Sequence, residues 1–293
     1  MLKPWISSFK SALCTGLLVL LVSPPAMAAV VTWNGATSGD FLTGTNWSGN
    51  AAPSAADDVA INNGALLNQP TLGAGDSSTV NTVDLSAGSL DVDGNLTATS
   101  GVTVSGSGAL RIGLPGSVIG DVTNSGTLSS LGFIAGNVTN SGTLSSLGSI
   151  EGNLTLTDAS VLQVLAAAGM TVDGFVALGG VLELDFSGID FSDIDLLLDP
   201  VEFDIITARG IGESFSSFEV AGLADGLSFS ADIIQRRNLF IYQGVVERAR
   251  QEVPEPATWL LVAIALTAML QVRARRAGKA GGLQQVGEAR KPG

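Results

Sequence analysis

The stretch Gly120-Asp-Val-Thr-Asn-Ser-Gly-Thr-Leu-Ser-Ser-Leu-Gly-Phe-Ile-Ala135 is followed immediately by a second copy, which runs from Gly136 to Glu151. A third, diverged copy begins at Gly152. The first two copies differ at three of their sixteen positions, where Asp121, Phe133 and Ala135 are replaced by Asn137, Ser149 and Glu151. A repeat this short predicts a fold built from stacked, similar units.

Apolar residues recur six positions apart in the first copy, at Val122, Leu128 and Ile134. This spacing predicts three short strands per coil, each with one central side chain inward and polar neighbours outward. The corners are expected at glycines, which adopt conformations that other side chains resist: Gly126, Gly132 and Gly136. Stacked coils of this kind form an all-β fold, a β-solenoid similar to a parallel β-helix.

The same inward spacing extends over residues 80–160, which we predict to be the solenoid repeats. Steps of six join Leu96 to Val102, Val104 to Leu110 and Ile112 to Val118. We expect roughly eight to ten coils at the usual strand spacing. Asn124 and Asn140 recur at one corner and could stack as an amide ladder, although asparagine at a turn needs no such role. The alternative is a Gly/Ser/Thr-rich linker, which would not keep an apolar residue in register.

The composition limits the classes of function. With 37 glycines and 5% aromatic residues in 293, the chain can bury a thin, elongated core. Residues 29–252 contain 25 acidic residues against six arginines, a balance of −19, so phosphate repulsion argues against nucleic-acid binding. The chain has no histidine, and its single cysteine, Cys14, lies in a segment that we expect to be removed. No disulfide, thiol nucleophile or Cys/His metal site is therefore expected.

Residues 1–28 have the pattern of a secretory signal peptide. Lys3 and Lys10 precede an uncharged apolar run, and the segment ends in Ala26-Met27-Ala28, a signal peptidase site. We expect cleavage after Ala28. The alternatives are a retained membrane anchor and a lipoprotein signal that uses Cys14.

The flanks of the repeats are predicted to close the solenoid. Residues 29–79, with Trp33 and Trp47, resemble the opening segment of bacterial envelope proteins with autotransporter-like β-helices, which implies a cap over the first coil. A tryptophan-lined carbohydrate platform is the alternative. Residues 161–245 hold most of the phenylalanines. The sequences of Phe203–Ala208 and Phe215–Phe218 resemble the end of autotransporter-like passenger regions. We predict a C-terminal β cap there.

The C-terminus has three consecutive parts. The first is a linker, 246–256, which contains Val253, Pro254, Glu255 and Pro256. The second is an uncharged apolar segment, 257–272, which is predicted to be a transmembrane helix. The third is a basic tail, 273–293, which begins with Arg273, Arg275 and Arg276. This arrangement resembles the PEP-CTERM sorting signal of Gram-negative, exopolysaccharide-producing bacteria. The resemblance implies processing by an exosortase that recognises Glu255. A permanent membrane anchor is the alternative.

Carboxylates are the main candidates for chemistry. They are Asp57 and Asp58, and a group consisting of Glu183, Asp185, Asp190, Asp193, Asp195, Asp199, Glu202 and Asp204. Without histidine, and with Tyr242 as the single tyrosine, few acid–base groups are available, and we predict that the protein is not an enzyme. Two short acidic runs, Asp91–Asn95 and Asp190–Asp195, raise the alternative of structural calcium. Solvated surface acids explain both runs equally well. No metal or cofactor is therefore predicted.

The sequence therefore predicts an exported, non-enzymatic protein of the cell surface or extracellular matrix. It would be anchored transiently in the inner membrane of a Gram-negative bacterium and would associate with exopolysaccharide or biofilm. Signal peptidase and an exosortase are the expected processing partners, and exopolysaccharide is the candidate ligand. The alternative is a carbohydrate-binding or polysaccharide-degrading β-helix enzyme.

Overall fold

The computed structural model describes residues 28–146, 148–165, 169–187, 189 and 200–249. The chain divides into two units, residues 1–247 and 248–293. Only Arg248 and Ala249 of the second unit are described.

The described residues form short strands and a single-turn 3₁₀ helix at Gly44–Asn46. In chain order the strands are β1 (Val30–Thr32), β2 (Asp58–Asn62), β3 (Thr71–Leu72), β4 (Ser77–Val80), β5 (Thr82–Val92), β6 (Asn95–Ala98), β7 (Val102–Ile112), β8 (Ser117–Ile119), β9 (Val122–Asn124), β10 (Thr127–Ser130), β11 (Phe133–Ala135), β12 (Val138–Asn140), β13 (Thr143–Ser146), β14 (Ser149–Ile150), β15 (Leu154–Leu156), β16 (Val161–Leu165), β17 (Met170–Ala177), β18 (Val181–Asp185), β19 (Val201–Gly212), β20 (Ser217–Ala221), β21 (Leu227–Arg236) and β22 (Leu239–Arg248).

The strands from β1 to β20 stack in parallel into a three-sided solenoid of about six turns. Face 1 contains β1, β2, β9, β12 and β15 together with the first halves of β5 and β7. Face 2 contains the second halves of β5 and β7, then β10, β13, β16, β18 and β20. Face 3 contains β4, β6, β8, β11 and β14, followed by the first halves of β17 and β19.

The predicted inward column is confirmed. Three register pairs place equivalent side chains of the two copies directly above one another, and all six are at most 1% exposed: Val122 and Val138, Leu128 and Leu144, and Ile134 and Ile150. The earlier steps of six also end on buried residues, from Leu96 to Val118. Burial of one apolar residue per strand therefore supports every central coil.

The amide ladder predicted at the repeat corner is also present. Asn124 and Asn140 are fully buried, and the Asn124 Nδ2 group donates to Asn140 Oδ1 at 2.6 Å. The backbone completes the pair, because Asn124 Oδ1 accepts from the Gly126 amide at 3.1 Å and Asn140 Nδ2 donates to the Gly142 carbonyl at 2.8 Å. A buried amide is stable only when it is hydrogen-bonded in this way.

The expected number of coils was wrong. Register spacing is sixteen residues from Val122 to Val138 and from Val138 to Leu154, but twenty from Val102 to Val122 and twenty-two from Leu154 to Val176. The outer coils use more chain per turn than the central duplication. The expected eight to ten coils were too many in any case, because the 81 residues of 80–160 make only about five turns even at sixteen residues per turn.

The corner glycines are required for a different reason from the one expected. Gly126, Gly132 and Gly136 do not have positive φ, unlike Gly120, whose φ is +136°. Instead, a Cβ atom added at Gly132 would collide with the Gly116 carbonyl of the preceding coil. Glycine is needed at these corners because successive turns stack without room for a side chain.

Aromatic residues cover the N-terminal end. Trp33, Phe41 and Trp47 are buried, with ring centroids 4.8 Å apart in two edge-to-face pairs, and Trp47 Nε1 donates to the Phe41 carbonyl at 2.7 Å. The tryptophan-lined carbohydrate platform was therefore wrong, because Trp33 and Trp47 are only 2% and 0% exposed. These rings pack as core and not as a binding surface.

The C-terminal end combines continued stacking with an antiparallel strand. Parallel pairing extends past residue 160 through β18 and β20, and β22 then pairs antiparallel with β19. Phe186, Phe203, Phe218 and Phe229 pack at centroid distances of 5.5 to 6.1 Å. The parallel solenoid therefore extends beyond the predicted boundary at residue 160, and the antiparallel pairing and the aromatic cluster occupy only part of the segment predicted to be a cap, 161–245.

In the described part of the chain, no helix is both long and apolar enough to cross a membrane. The predicted signal peptide up to Met27 and the predicted transmembrane helix, 257–272, lie outside the described residues.

The buried column makes a direct prediction about stability. Leu128→Asp should lower the free energy of unfolding by roughly 3 kcal/mol or more, because it buries an unpaired carboxylate in a thin aliphatic core. The control Thr127→Asp changes the adjacent, exposed position of the same strand. Chemical denaturation of both variants checks this, and equal midpoints would contradict the assigned register.

Candidate functional site

A groove with a volume of about 740 Å³ runs across the C-terminal part of face 2. The parallel register brings polar, outward side chains from β10, β13, β16, β18 and β20 into one column. We call it the polar column: Ser129, Ser145, Gln163, Glu183 and Glu219. It forms one side of the groove.

Hydrogen bonds connect the middle of the polar column from strand to strand. Ser145 Oγ donates to Gln163 Oε1 at 2.8 Å, and Gln163 Nε2 donates to Glu183 Oε2 at 2.8 Å. These contacts fix the orientation of the Gln163 amide, so the column is organised without a ligand.

Two exposed apolar side chains lie beside the polar column, each two residues beyond one of its members. Leu131 and Leu165 are 50% and 58% exposed, and both line the groove. Val220 adds an apolar side chain at the end of the groove and is 37% exposed. The register continues the position of Leu165 with Asp185 on β18 and Ala221 on β20, so the two leucines do not form a continuous apolar stripe.

The C-terminal end of the groove is acidic. Glu183 and Glu219 are direct register partners on neighbouring strands, and Asp185 lies two residues beyond Glu183. A hydrogen bond from the Ser187 backbone amide, followed by one from its hydroxyl, lowers the pKa of Asp185. Asp185 is therefore an anion at neutral pH and acts as a hydrogen-bond acceptor.

The acidic group predicted from residues 183–204 is not one cluster among the described residues. Glu183 and Asp185 line the groove. Glu202 and Asp204 lie on β19 instead, and their carboxylate oxygens are 3.5 and 3.8 Å from the guanidinium nitrogens of Arg236 on β21. These exposed ion pairs contribute little to stability. The remaining members lie outside the described residues: Asp190, Asp193, Asp195 and Asp199.

Asp57 and Asp58 have structural contacts in the N-terminal segment. Asp57 accepts hydrogen bonds from the Ser54 hydroxyl at 2.7 Å and the Ser54 amide at 2.8 Å, and these lower its pKa. Asp58 Oδ1 accepts from Asn81 and Thr82 at 2.7 and 2.8 Å. The two carboxylates therefore accept structural hydrogen bonds that stabilise the N-terminal segment. They do not form a pair that faces a substrate.

The calcium candidate gains no support within the described residues. No group of three or more His, Cys, Asp or Glu side chains there could hold a metal ion. Asn95 Oδ1 accepts a hydrogen bond from Ser117 Oγ at 2.7 Å, and burial raises the pKa of Asp91. The second acidic run, Asp190–Asp195, lies outside the described residues.

The sorting residues cannot be placed in the fold. Val253, Pro254, Glu255, Pro256, Arg273, Arg275 and Arg276 lie outside the described residues, as does Ala26 of the signal peptidase site. Ala28 is the first described residue and is exposed. Their roles stay predictions.

The exposed leucines of the groove were not predicted from the sequence, although a signal was present. Strand alternation continues past the inward Leu128, so Ser130 points inward and Leu131 points outward. An apolar residue at an outward position of a repeat could have indicated an exposed stripe. Only the inward column was predicted from the sequence.

Comparison with known protein families finds the PEP-CTERM protein-sorting motif at residues 252–276. That range includes the Pro254-Glu255-Pro256 sequence, the apolar segment and the first three arginines. No curated protein and no solved structure matches the chain. The chain is a β-solenoid protein with a PEP-CTERM sorting motif, and this motif implies export in a Gram-negative bacterium, passage through the membrane and sorting by an exosortase.

Tyr242 was the one tyrosine available for acid–base chemistry, and its surroundings make a measurable prediction. Burial, with a smaller contribution from Asp232, raises the pKa of Tyr242 to about 12. Because the chain has a single tyrosine, ultraviolet absorbance of tyrosinate reports this residue alone.

We expect a native midpoint near pH 12 and a midpoint near 10 in denaturant. The raised pKa stabilises the fold fully below pH ~10, and that contribution is lost as the pH rises through 10 to 12. A native midpoint near pH 10 would show that Tyr242 is solvated and contradict its placement between β19 and Phe215.

Proposed function

We propose that the protein is a non-enzymatic component of the cell surface or extracellular matrix that an exosortase releases from the inner membrane and that associates with exopolysaccharide. The observation that carries the proposal is the sorting motif at 252–276 directly after a β-solenoid. An elongated, regular scaffold followed by a sorting signal suits a protein whose role is to be displayed.

The C-terminal sequence explains how sorting would work. Residues 257–272 would form a helix of about 24 Å, which is shorter than the ~30 Å hydrocarbon core. Arg273, Arg275 and Arg276 would compensate by reaching the cytoplasmic headgroups, and they would orient the solenoid outward. Pro254 and Pro256 keep the segment before the helix extended, so that Glu255 is accessible to the processing enzyme at the outer interface.

A polysaccharide-degrading enzyme is the second candidate, and the groove is the feature that favours it. Glycoside hydrolysis needs a protonated carboxyl on one side of the bond and a carboxylate on the other. The lowered pKa of Asp185 is unsuited to the first role. The ladder of hydroxyl, amide and carboxylate groups is better suited to binding a saccharide than to cleaving it.

Processing is tested by mass spectrometry of the mature chain from an exosortase-positive host. We expect a C-terminus near residues 253–257 and loss of the apolar segment. In a host without the exosortase, or with Glu255→Ala, the C-terminal segment should stay attached in the membrane fraction. Glu247→Ala, an acidic residue upstream of the matched motif, is the control and should be processed normally. An intact C-terminus in the exosortase-positive host would contradict the proposal.

The destination is tested separately by fractionating hosts with and without exopolysaccharide. We expect the processed protein in the matrix of the first and in the medium of the second. Equal distribution between fractions in the two hosts would remove exopolysaccharide from the proposal while leaving sorting intact.

A further inference from the structure

The apolar core of the solenoid is open at the C-terminal end of face 2, where β20 is the last strand. Leu162 and Leu182 are 0% exposed, yet the next member of their inward column, Phe218, is 43% exposed. The neighbouring inward column ends in the same way, because Leu184 is 1% exposed and its register partner Val220 is 37% exposed. All five residues of β20 are exposed. The cap formed by β22 covers β19 on face 3 and leaves this strand uncovered.

The backbone of β20 is open at the same end. Among the described residues, β18 is the strand that pairs with β20, and it lies on one side of β20 only. The Ala221 carbonyl points to that side, because it accepts a hydrogen bond at 2.9 Å from the Phe186 amide directly after β18. Backbone groups of successive residues point to opposite sides of a strand, so those of Phe218 and Val220 point to the free side. Such an edge is a template for another strand.

The N-terminal end of the same face is closed. β3 is the first strand that pairs with the second half of β5, and the chain before it covers its edge. The Phe41 amide donates to the Thr71 carbonyl at 3.0 Å, and the Thr71 amide donates to the Gly39 carbonyl at 2.7 Å. Phe41 itself is fully buried. A second copy therefore finds no open strand at that end on which to continue the parallel stacking.

We propose that β20 is a dimerisation edge, which pairs antiparallel with β20 of a second copy of this chain across a two-fold axis. A two-fold contact uses the same surface on both sides, so the strand must be complementary to itself. β20 meets this requirement because residues directly opposite in an antiparallel pair lie on the same face of the sheet. The inward side chains Phe218 and Val220 of the two copies therefore meet on one side of the seam.

Charge favours one register of this pair. With Glu219 on the axis, two carboxylates would lie directly opposite each other, which is unfavourable. With Phe218 on the axis, Glu219 lies opposite Ser217 of the second copy, and the two phenylalanine rings meet at the centre. In that register the apolar side chains face the core and the carboxylates face the solvent.

The seam continues the contact that stabilises the solenoid itself. The inward column that ends at Phe218 passes into the second copy, and apolar surface that is now exposed becomes buried. Phe229 packs against Phe218 with a centroid distance of 5.8 Å, so part of the ring is already covered. One short strand from each copy forms a small interface, and we expect a weak dimer that depends on concentration. Salt should strengthen the dimer, because it screens the repulsion between the acidic ends of two copies.

The test is site-specific cross-linking of the full-length chain in mild detergent, with Cys14 replaced by serine and a short bismaleimide as the reagent. We expect Glu219→Cys to give a cross-linked dimer whose yield rises with protein concentration and with salt. Ala51→Cys, an exposed position of the N-terminal segment, should give none. Absence of a dimer through position 219 would overturn the proposal. A cross-link between position 219 of one copy and position 51 of another would also overturn it, because it shows head-to-tail stacking.

Variants in the Glu219→Cys chain locate the seam. Val220→Pro removes a backbone amide from the free edge without removing one that faces β18, and an edge strand tolerates proline at such a position. It should lower the yield of dimer roughly tenfold, because a main-chain hydrogen bond and an apolar contact are lost on each side of the seam. The matched control, Val220→Ile, keeps both and should cross-link normally.

A second variant covers the case in which Val220→Pro does not fold. Phe218→Ser should also lower the yield, whereas Leu239→Ser, whose leucine is equally exposed at 43%, should not. Thermal melts show which variants are folded. If the folded β20 variants cross-link as fully as their controls, β20 is not the seam and the proposal is wrong. Because cross-linking needs no processing, this result leaves the sorting proposal unaffected.

Discussion

The structure depends on one repeated contact, the stacking of an inward apolar side chain directly on its equivalent in the next coil. In the duplicated central coils each strand buries a single apolar residue, so neighbouring coils stabilise one another. Leu110, Leu128, Leu144 and Leu162 form one such column, and all four have 0% exposure. The parallel hydrogen bonds keep this register, and a slip by one residue would turn the column outward.

The same register orders the outside of the solenoid. Because equivalent positions superpose on both surfaces of a strand, outward residues also form columns, and on face 2 one of these columns is polar. Strict alternation also has a cost. Ser130 is placed inward at 1% exposure, and among the described residues its hydroxyl has no hydrogen-bond partner.

The parts of the fold that repeat could be predicted from the sequence, and the parts that do not repeat could not. Val122, Leu128 and Ile134 were assigned inward correctly because the duplicated spacing determines them. The burial of Trp33 and Trp47 depends on the packing of Trp47 against both Trp33 and Phe41, which no strand periodicity shows. Likewise, Glu183 and Asp204 are near in sequence but belong to different faces, since the chain between β18 and β19 connects face 2 to face 3.

The register of the coils is the central claim, and a disulfide bond between neighbouring coils tests it most directly. Thr123 and Thr139 are exposed register partners, and the ~4.8 Å between adjacent parallel strands falls within the range that a disulfide spans. In a chain with Cys14, the single native cysteine, replaced by serine, Thr123→Cys with Thr139→Cys should form a disulfide on mild oxidation without lowering the Tm. Thr123→Cys with Thr143→Cys, whose second position belongs to face 2, should not. Failure of the first pair to form, or equal formation of both pairs, would contradict the solenoid register.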